Sequence, residues 1–121
     1  MQYLTHLFAG SAMLAIGFAA HAADCANGPQ VFQTKCSACH ALDADRVGPH
    51  LQGVVGRPIG AVKGYTYSSD LAGANDTWSL ERLDHWLTAP ARMFPETSMA
   101  FGGLRKAEER QAVICYLQNH G

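Results

Sequence analysis

Two cysteines and a histidine occur in an order that suits one particular chemistry: Cys36-Ser37-Ala38-Cys39-His40. This is the C-x-x-C-H pattern of covalent haem attachment. Thiols three positions apart on a helical turn face the same side, so each can bond one vinyl group of a porphyrin while the following imidazole binds the iron. We therefore predict one haem c, attached through Cys36 and Cys39, with His40 as an iron ligand.

Two other chemistries also use closely spaced cysteines. A thioredoxin-like redox pair occurs within a βαβ pattern, and a zinc site needs a second Cys or His pair at suitable spacing. The sequence offers neither companion, because the other cysteines, Cys25 and Cys115, stand alone. The motif therefore favours haem attachment.

A second iron ligand is needed if the haem is to keep the same geometry in both oxidation states. The candidates that follow His40 are His50, His85, Met93, Met99 and His120. Met99 lies in a loop bounded by Pro95 and Gly102, which can approach a haem face without helical constraint. We predict Met99 as the ligand, with Met93 as the fallback, and a thioether ligand raises the reduction potential.

The elements that must position these residues are helical. A helix is predicted from Gly28-Pro29 toward Cys36, and a long glycine-rich loop follows from Arg46 to Asn75, with a short helical turn near Ser69 to Ala72. Such a long loop is unusual in an ordinary core, because ordering it costs conformational entropy and leaves backbone polar groups to be satisfied. Contacts with a haem inside the loop would compensate for this cost.

Two further helices are predicted in the second half of the chain. Apolar residues recur at helical spacing from Trp78, and that helix must stop before Pro90. Another loop then continues to Gly103, and the last helix is expected from Arg105 to His120. The fold class is therefore all-α, with helices at both ends and loops wrapped around one flat cofactor.

The N-terminal segment is apolar and precedes Ala20-His21-Ala22, a stretch typical of a cleavage site. We expect residues 1–22 to be a cleaved signal peptide and residues 23–121 to form one domain in the periplasm. Residues 1–6 depart from the usual signal-peptide pattern, since they contain no Lys or Arg. The alternative is a retained membrane anchor, although Gly10, Ser11 and Gly17 interrupt the apolar run.

Composition limits the remaining function classes. The 121 residues leave room for one small domain, and the net charge of −1 supplies no basic field for nucleic acid. Nucleophile motifs and catalytic dyads are absent from the sequence, so we predict that the protein is not an enzyme.

From Gly28 onward, the chain resembles a class I cytochrome c, close to the mitochondrial cytochrome c and bacterial cytochrome c2 branch. Gly28 and Phe32 match the first helix, and the C-x-x-C-H motif matches the attachment site. The resemblance implies that the Pro49 carbonyl accepts a hydrogen bond from His40, which would fix the ring.

The resemblance also implies roles for other haem-site residues. Propionate surroundings are expected from Arg57, Tyr65, Tyr67 and Trp78. It further implies that Met99 is the axial ligand, Thr97 a supporting donor and Phe101 an aromatic residue at the haem edge. Trp86 stands where the family usually has a tyrosine behind the methionine. The sequence departs from the family in a shorter loop after His40 and in Glu96-Thr97-Ser98, which lacks the usual glycine and lysine.

Cys25 precedes the first helix and Cys115 lies within the last helix, and in the family these two helices cross. In an oxidising compartment the two cysteines are therefore expected to form a disulfide. The alternative is two unpaired thiols, with Cys115 a small buried residue.

Family members dock their partners through positive residues around the haem edge, and four matching positions are retained here: Lys35, Arg92, Arg105 and Lys106. Ala91 and Ser98 lack the family's lysines, so we expect a weakened but still salt-dependent association. The alternative is an ordinary solvated face.

The resemblance implies a monomeric, monohaem electron carrier that associates transiently with a donor and an acceptor. Partners of this kind are a cytochrome bc1 complex, a terminal oxidase, a photosynthetic reaction centre or a periplasmic dehydrogenase. The alternatives are a haem subunit of a larger membrane or dehydrogenase complex and a ligand-binding sensor or peroxidase-like protein.

Overall fold

The computed structural model describes residues 25–121, so the expected signal peptide lies outside the described residues. In this part of the chain five helices follow one another: α1 Gly28–Lys35, α2 Ser69–Ala72, α3 Leu80–Thr88, α4 Pro90–Met93 and α5 Ala107–Gln118. Within residues 25–121 the only extended pairing is an isolated bridge between Pro58 and Thr77. The all-α prediction is confirmed.

Helices α1 and α5 cross in close contact. A Cβ atom on Gly28 would lie 2.5 Å from the carbonyl oxygen of Ala112 and 2.6 Å from Cβ of Tyr116, so only glycine allows this approach. One helical turn later, the rings of Phe32 and Tyr116 pack with their centroids 5.4 Å apart. The predicted crossing of the first and last helices is therefore present.

The two ends of the described chain also meet at a pair of cysteines. The structure pairs the sulfur atoms of Cys25 and Cys115, whose Cα atoms are 5.2 Å apart. This separation lies within the range that disulfides require. The side-chain amide of Asn119 approaches the Cys25 sulfur at 3.6 Å.

Helix α3 begins two residues later than the apolar pattern predicts. The Ser79 hydroxyl accepts a hydrogen bond from the Arg82 N–H at 3.1 Å and so caps the helix at that point. The apolar pattern places Leu80, Leu83 and Trp86 on one buried face. Leu83 and Trp86 are buried as expected, but Leu80 is 45% exposed, so this part of the prediction is wrong. Trp78 precedes the helix and is instead held by its backbone, which donates to the Arg57 carbonyl at 2.9 Å.

The segment after α3 was expected to be a loop, but Pro90–Met93 forms the short helix α4. Proline suits the first position of a helix, because its missing N–H would have no intrahelical partner there. Helix α5 spans Ala107–Gln118 rather than the longer range predicted. By contrast, the short helix near Ser69 was predicted correctly and is α2.

The apolar core lies between α1, α3 and α5 and continues into the long loop. Its members include Val31, Val54, Leu83, Val113 and Leu117, each less than 5% exposed. Within residues 25–121, no helix has the combination of length and apolar character needed to cross a bilayer.

Candidate haem-binding site

A cavity of about 470 Å³ opens between the loops and helices α3 and α5. Its volume is typical of sites that bind a small molecule or cofactor. Every residue that the sequence analysis assigned to the haem site lines this cavity: Cys36, Cys39, His40, Pro49, Arg57, Tyr65, Tyr67, Trp78, Trp86, Thr97, Met99 and Phe101. The fold therefore brings together residues that are spread over 66 positions of the chain, from 36 to 101.

The attachment motif forms a turn that directly follows α1. The helix ends at Lys35, and the N–H groups of Cys39 and His40 both donate to the Cys36 carbonyl, at 3.1 and 2.9 Å. The thiols therefore lie on a hydrogen-bonded turn rather than within the helix. Burial raises the pKa of the Cys36 thiol to about 11, whereas Cys39 is exposed.

The His40 ring is held by the loop that follows the motif. Its Nδ1 atom lies 2.8 Å from the Pro49 carbonyl oxygen. With its proton on Nδ1, the ring donates to this carbonyl and keeps the Nε2 lone pair for a metal. Burial lowers the pKa of His40 and so favours the neutral ring.

Gly48 makes room for this ring. A Cβ atom at position 48 would lie 2.2 Å from Cε1 of His40, which no side chain could tolerate. The proximal loop therefore needs glycine for a steric reason.

Met99 is brought to the same cavity by a tight turn. The Thr97 N–H donates to the Phe94 carbonyl at 3.1 Å, and the Met99 N–H donates to the Thr97 hydroxyl at 3.2 Å. Thr97 was expected to be a donor, but in this contact its oxygen is the acceptor. Its hydroxyl proton can still be donated to an acceptor in the cavity.

Of the candidates for the second iron ligand, Met99 alone lines the cavity. His50 contacts the Asp45 carboxylate at 2.7 Å, and His120 contacts the Tyr116 carbonyl at 2.7 Å. His85 is exposed, and the fallback residue Met93 packs against the apolar core.

Four residues were expected to surround the haem propionates, and side-chain hydrogen bonds separate the roles of three of them, Tyr65, Tyr67 and Arg57. The Tyr65 hydroxyl donates to the Val47 carbonyl at 2.8 Å, which occupies its proton. The Tyr67 hydroxyl accepts from the Val62 N–H at 3.1 Å and keeps its proton. Arg57 donates to the His50 carbonyl at 3.0 Å and has further N–H groups available.

Burial lowers the pKa of Arg57 and raises the pKa of Tyr67. The guanidinium remains charged, because arginine does not lose its proton in proteins. A half-buried cation beside a hydroxyl is a suitable pair for a carboxylate that must enter a mostly apolar cavity.

The rings of Trp78 and Trp86 form an aromatic wall of the cavity, with their centroids 5.3 Å apart. Phe94 does not line the cavity but packs edge-on to Trp86 at 5.9 Å. Sequence reasoning did not assign several aliphatic lining residues to the site, among them Val54, Leu71, Leu83, Leu87, Val113 and Leu117. For Leu83, Leu87, Val113 and Leu117 the signal was the apolar helical pattern, which does not distinguish a cofactor wall from an ordinary core. Val54 and Leu71 belong to the predicted loop segment, which offers no such pattern.

The positive residues proposed for docking are all exposed: Lys35, Arg92, Arg105 and Lys106. Lys35 is also at the edge of the cavity itself. The exposed side chains of Ala38, Cys39 and Val47 line the same opening, and Val47 is 74% exposed. The opening therefore combines a cation with an apolar rim.

The cavity fits one haem by the chemistry of its lining. Two thiols on one turn, an imidazole with an oriented Nε2 and a thioether all reach the same space, beside an arginine and a phenol suited to propionates. These ligands would hold iron through one nitrogen and one sulfur atom.

Comparisons with known proteins agree with this site. The family model described as Cytochrome c matches residues 25–121. The chain is 42% identical over 95 residues to "Cytochrome c-type cyt cy" from Rhodobacter capsulatus, a match that covers 78% of this chain but only 48% of that longer relative. It is 37% identical over 99 residues to "Cytochrome c" from Gibberella zeae, covering 79% of this chain and 93% of that protein.

A solved structure shows the same architecture. Cytochrome cH from Methylobacterium extorquens superimposes with a TM-score of 0.75 at 36% sequence identity, covering 79% of this chain and 98% of that one. Helical fold and cavity chemistry together define a class I c-type haem protein. The chain belongs to the cytochrome c family, whose members carry a covalent haem c and transfer electrons.

Proposed function

We propose that this protein is a soluble one-electron carrier that moves electrons between redox partners in the periplasm or at its membrane. The observation that carries the proposal is the meeting of Cys36, Cys39, His40 and Met99 in one cavity. When bound there through both thiols, the haem supplies an iron that alternates between its ferrous and ferric states.

The protein's own residues make this exchange fast by keeping the site unchanged. The Pro49 carbonyl fixes the orientation of His40, and the Thr97 hydroxyl holds the backbone of Met99. The aromatic wall and the aliphatic residues exclude water. A dry site with fixed ligands needs little rearrangement when its charge changes.

Electron exchange is proposed to occur at the exposed edge of the cavity. Cys39 and Ala38 are exposed there, and Phe101 lines the same opening. Lys35, Arg92, Arg105 and Lys106 would steer an acidic partner surface toward this edge. Such a partner could be a cytochrome bc1 complex, a terminal oxidase, a photosynthetic reaction centre or a periplasmic dehydrogenase.

We also propose that the chain is exported and that Cys25 and Cys115 form a disulfide in the oxidising compartment. The support is the 5.2 Å separation of their Cα atoms and the need for periplasmic conditions to form such a bond. Residues 1–22 would be the signal that directs export.

The proposal is tested on the mature holoprotein by optical spectroscopy and a redox titration. We expect a low-spin haem in both oxidation states, one-electron Nernst behaviour and a positive potential. Met99→Ala should open the iron to carbon monoxide and lower the potential. The matched control is Met93→Ala, which removes a methionine outside the cavity and should leave both readouts unchanged.

Two results would contradict this function. A high-spin wild-type haem that binds carbon monoxide rapidly would instead favour a ligand-binding sensor or a peroxidase-like protein. Stable co-purification with other subunits would favour a haem subunit of a larger complex.

A further inference from the structure

A pair of hydrogen bonds joins α2 to the loop that carries Met99. The Ser69 hydroxyl donates to Oε2 of Glu96 at 2.6 Å, and the Glu96 N–H donates to Oδ2 of Asp70 at 2.8 Å. The two segments therefore hold each other reciprocally, through one side chain and one backbone group of Glu96.

Asp70 is itself held firmly within its own segment. Its Oδ1 atom accepts from the Ser68 hydroxyl at 2.7 Å and from the Leu71 N–H at 2.9 Å, which leaves Oδ2 directed to Glu96. Leu71 is buried in the core and also lines the haem cavity. The carboxylate is therefore held in place next to a residue of the cavity wall and does not rotate freely.

The contact at Glu96 is close enough in sequence to control Met99. Phe94, Glu96 and Thr97 belong to one tight turn, closed by the Thr97 N–H on the Phe94 carbonyl. The Thr97 hydroxyl then accepts from the Met99 N–H at 3.2 Å. A displacement of the Glu96 backbone would thus be transmitted to the thioether through this turn.

We propose that Asp70 is a positioning residue for Met99, which it keeps in the cavity by anchoring the Glu96 backbone to α2. The inference rests on the proposed role of Met99 as an iron ligand. Loss of the anchor allows the loop to open, so that Met99 leaves the iron more often. An external ligand then competes more successfully, because its apparent affinity rises with the open fraction.

The experiment measures imidazole binding to the ferric holoprotein by visible absorption. Asp70→Ala removes both acceptors, and we expect it to tighten the apparent imidazole affinity about five- to tenfold, the effect of losing a charged hydrogen bond at a half-exposed site. Asp70→Asn keeps one oxygen acceptor in nearly the same shape. It should tighten the affinity less, by about two- to threefold, and remains informative if the alanine variant does not fold.

Two controls separate positioning from other effects. Glu108→Gln makes the same change in net charge at an exposed residue of α5 and should leave imidazole affinity unchanged. In a Met99→Ala background, Asp70→Ala should also have no effect, since no thioether remains to be displaced. A purely structural role for Asp70 would alter imidazole binding equally in both backgrounds.

Each other outcome overturns the proposal in a recognisable way. If Met99→Ala alone does not tighten imidazole binding, Met99 is not the ligand and the proposed site fails first. If Met99→Ala tightens binding but Asp70→Ala does not, the ligand assignment stands and the positioning role is wrong. If Asp70→Ala acts equally with and without Met99, it changes access to the cavity and not the hold on the thioether.

Discussion

The proposed disulfide gives the most quantitative prediction, because it would close nearly the whole domain into one loop. Cys25 and Cys115 are separated by 90 positions. On the chain-entropy model, a bond across such a loop lowers the conformational entropy of the unfolded state, which adds about 4.6 kcal/mol to the unfolding free energy at 25 °C. We expect the double variant Cys25→Ser/Cys115→Ser to lose about 3–5 kcal/mol of unfolding free energy and at least about 12 °C of melting temperature.

The assay is guanidinium unfolding of wild-type and double-variant holoproteins, both in the ferric state. Replacing both cysteines is preferable to adding a thiol reductant, which would also reduce the iron. The denaturant dependence of the free energy should increase in the variant, because its unfolded chain exposes more surface. The haem spectrum and potential should not change, since neither cysteine lines the cavity.

The reasoning would be refuted by unfolding free energies that agree within about 1 kcal/mol, well below the chain-entropy value. It would also be refuted by mass spectrometry that finds two alkylatable thiols in the denatured, unreduced wild-type protein. A drop in stability without a change in denaturant dependence would place the effect in native packing around Asn119 instead.

Two other predictions concern charged groups outside the haem cavity. The Arg110 side chain is 13% exposed and donates to the Asp84 carboxylate at 2.7 Å and to the Leu104 carbonyl at 2.8 Å. Arg110→Met should therefore lower the unfolding free energy by about 2–3 kcal/mol in denaturant titrations. A loss below about 0.5 kcal/mol would show that the ion pair contributes no more than an exposed surface pair. Hydrogen bonds from the backbone N–H and the ring of His50 hold the pKa of Asp45 below its ordinary value of 3.8. Because the folded state lowers this pKa, the stabilisation is complete above the ordinary value and is lost as the pH falls through the folded value. Asp45→Asn should therefore flatten the stability profile between about pH 2 and pH 5, and an unchanged profile would exclude this contribution.

Most of the site could be predicted from sequence because its chemistry is local or its residue types are rare. The C-x-x-C-H motif lies on five consecutive residues, and only a few His and Met residues competed for the second ligand position. The Pro49 contact with His40 followed from the family resemblance, and the structure places the Pro49 carbonyl oxygen 2.8 Å from Nδ1 of His40. Helix boundaries were harder to predict, since the cap at Ser79 and the helix at Pro90 depend on which backbone groups find partners.

What the sequence could not reveal is how two distant loops depend on each other. Asp70 and Glu96 are 26 positions apart, and taken singly each is an ordinary acidic residue on a polar segment. Two carboxylates that approach one another would normally repel. Here the approach is tolerated because Asp70 accepts a hydrogen bond from the backbone N–H of Glu96 and does not face its carboxylate. The Glu96 carboxylate instead accepts a hydrogen bond from the Ser69 hydroxyl. A residue pair that charge patterning predicts to be unfavourable can thus anchor the methionine loop, and this arrangement is visible only when backbone and side-chain partners are placed together.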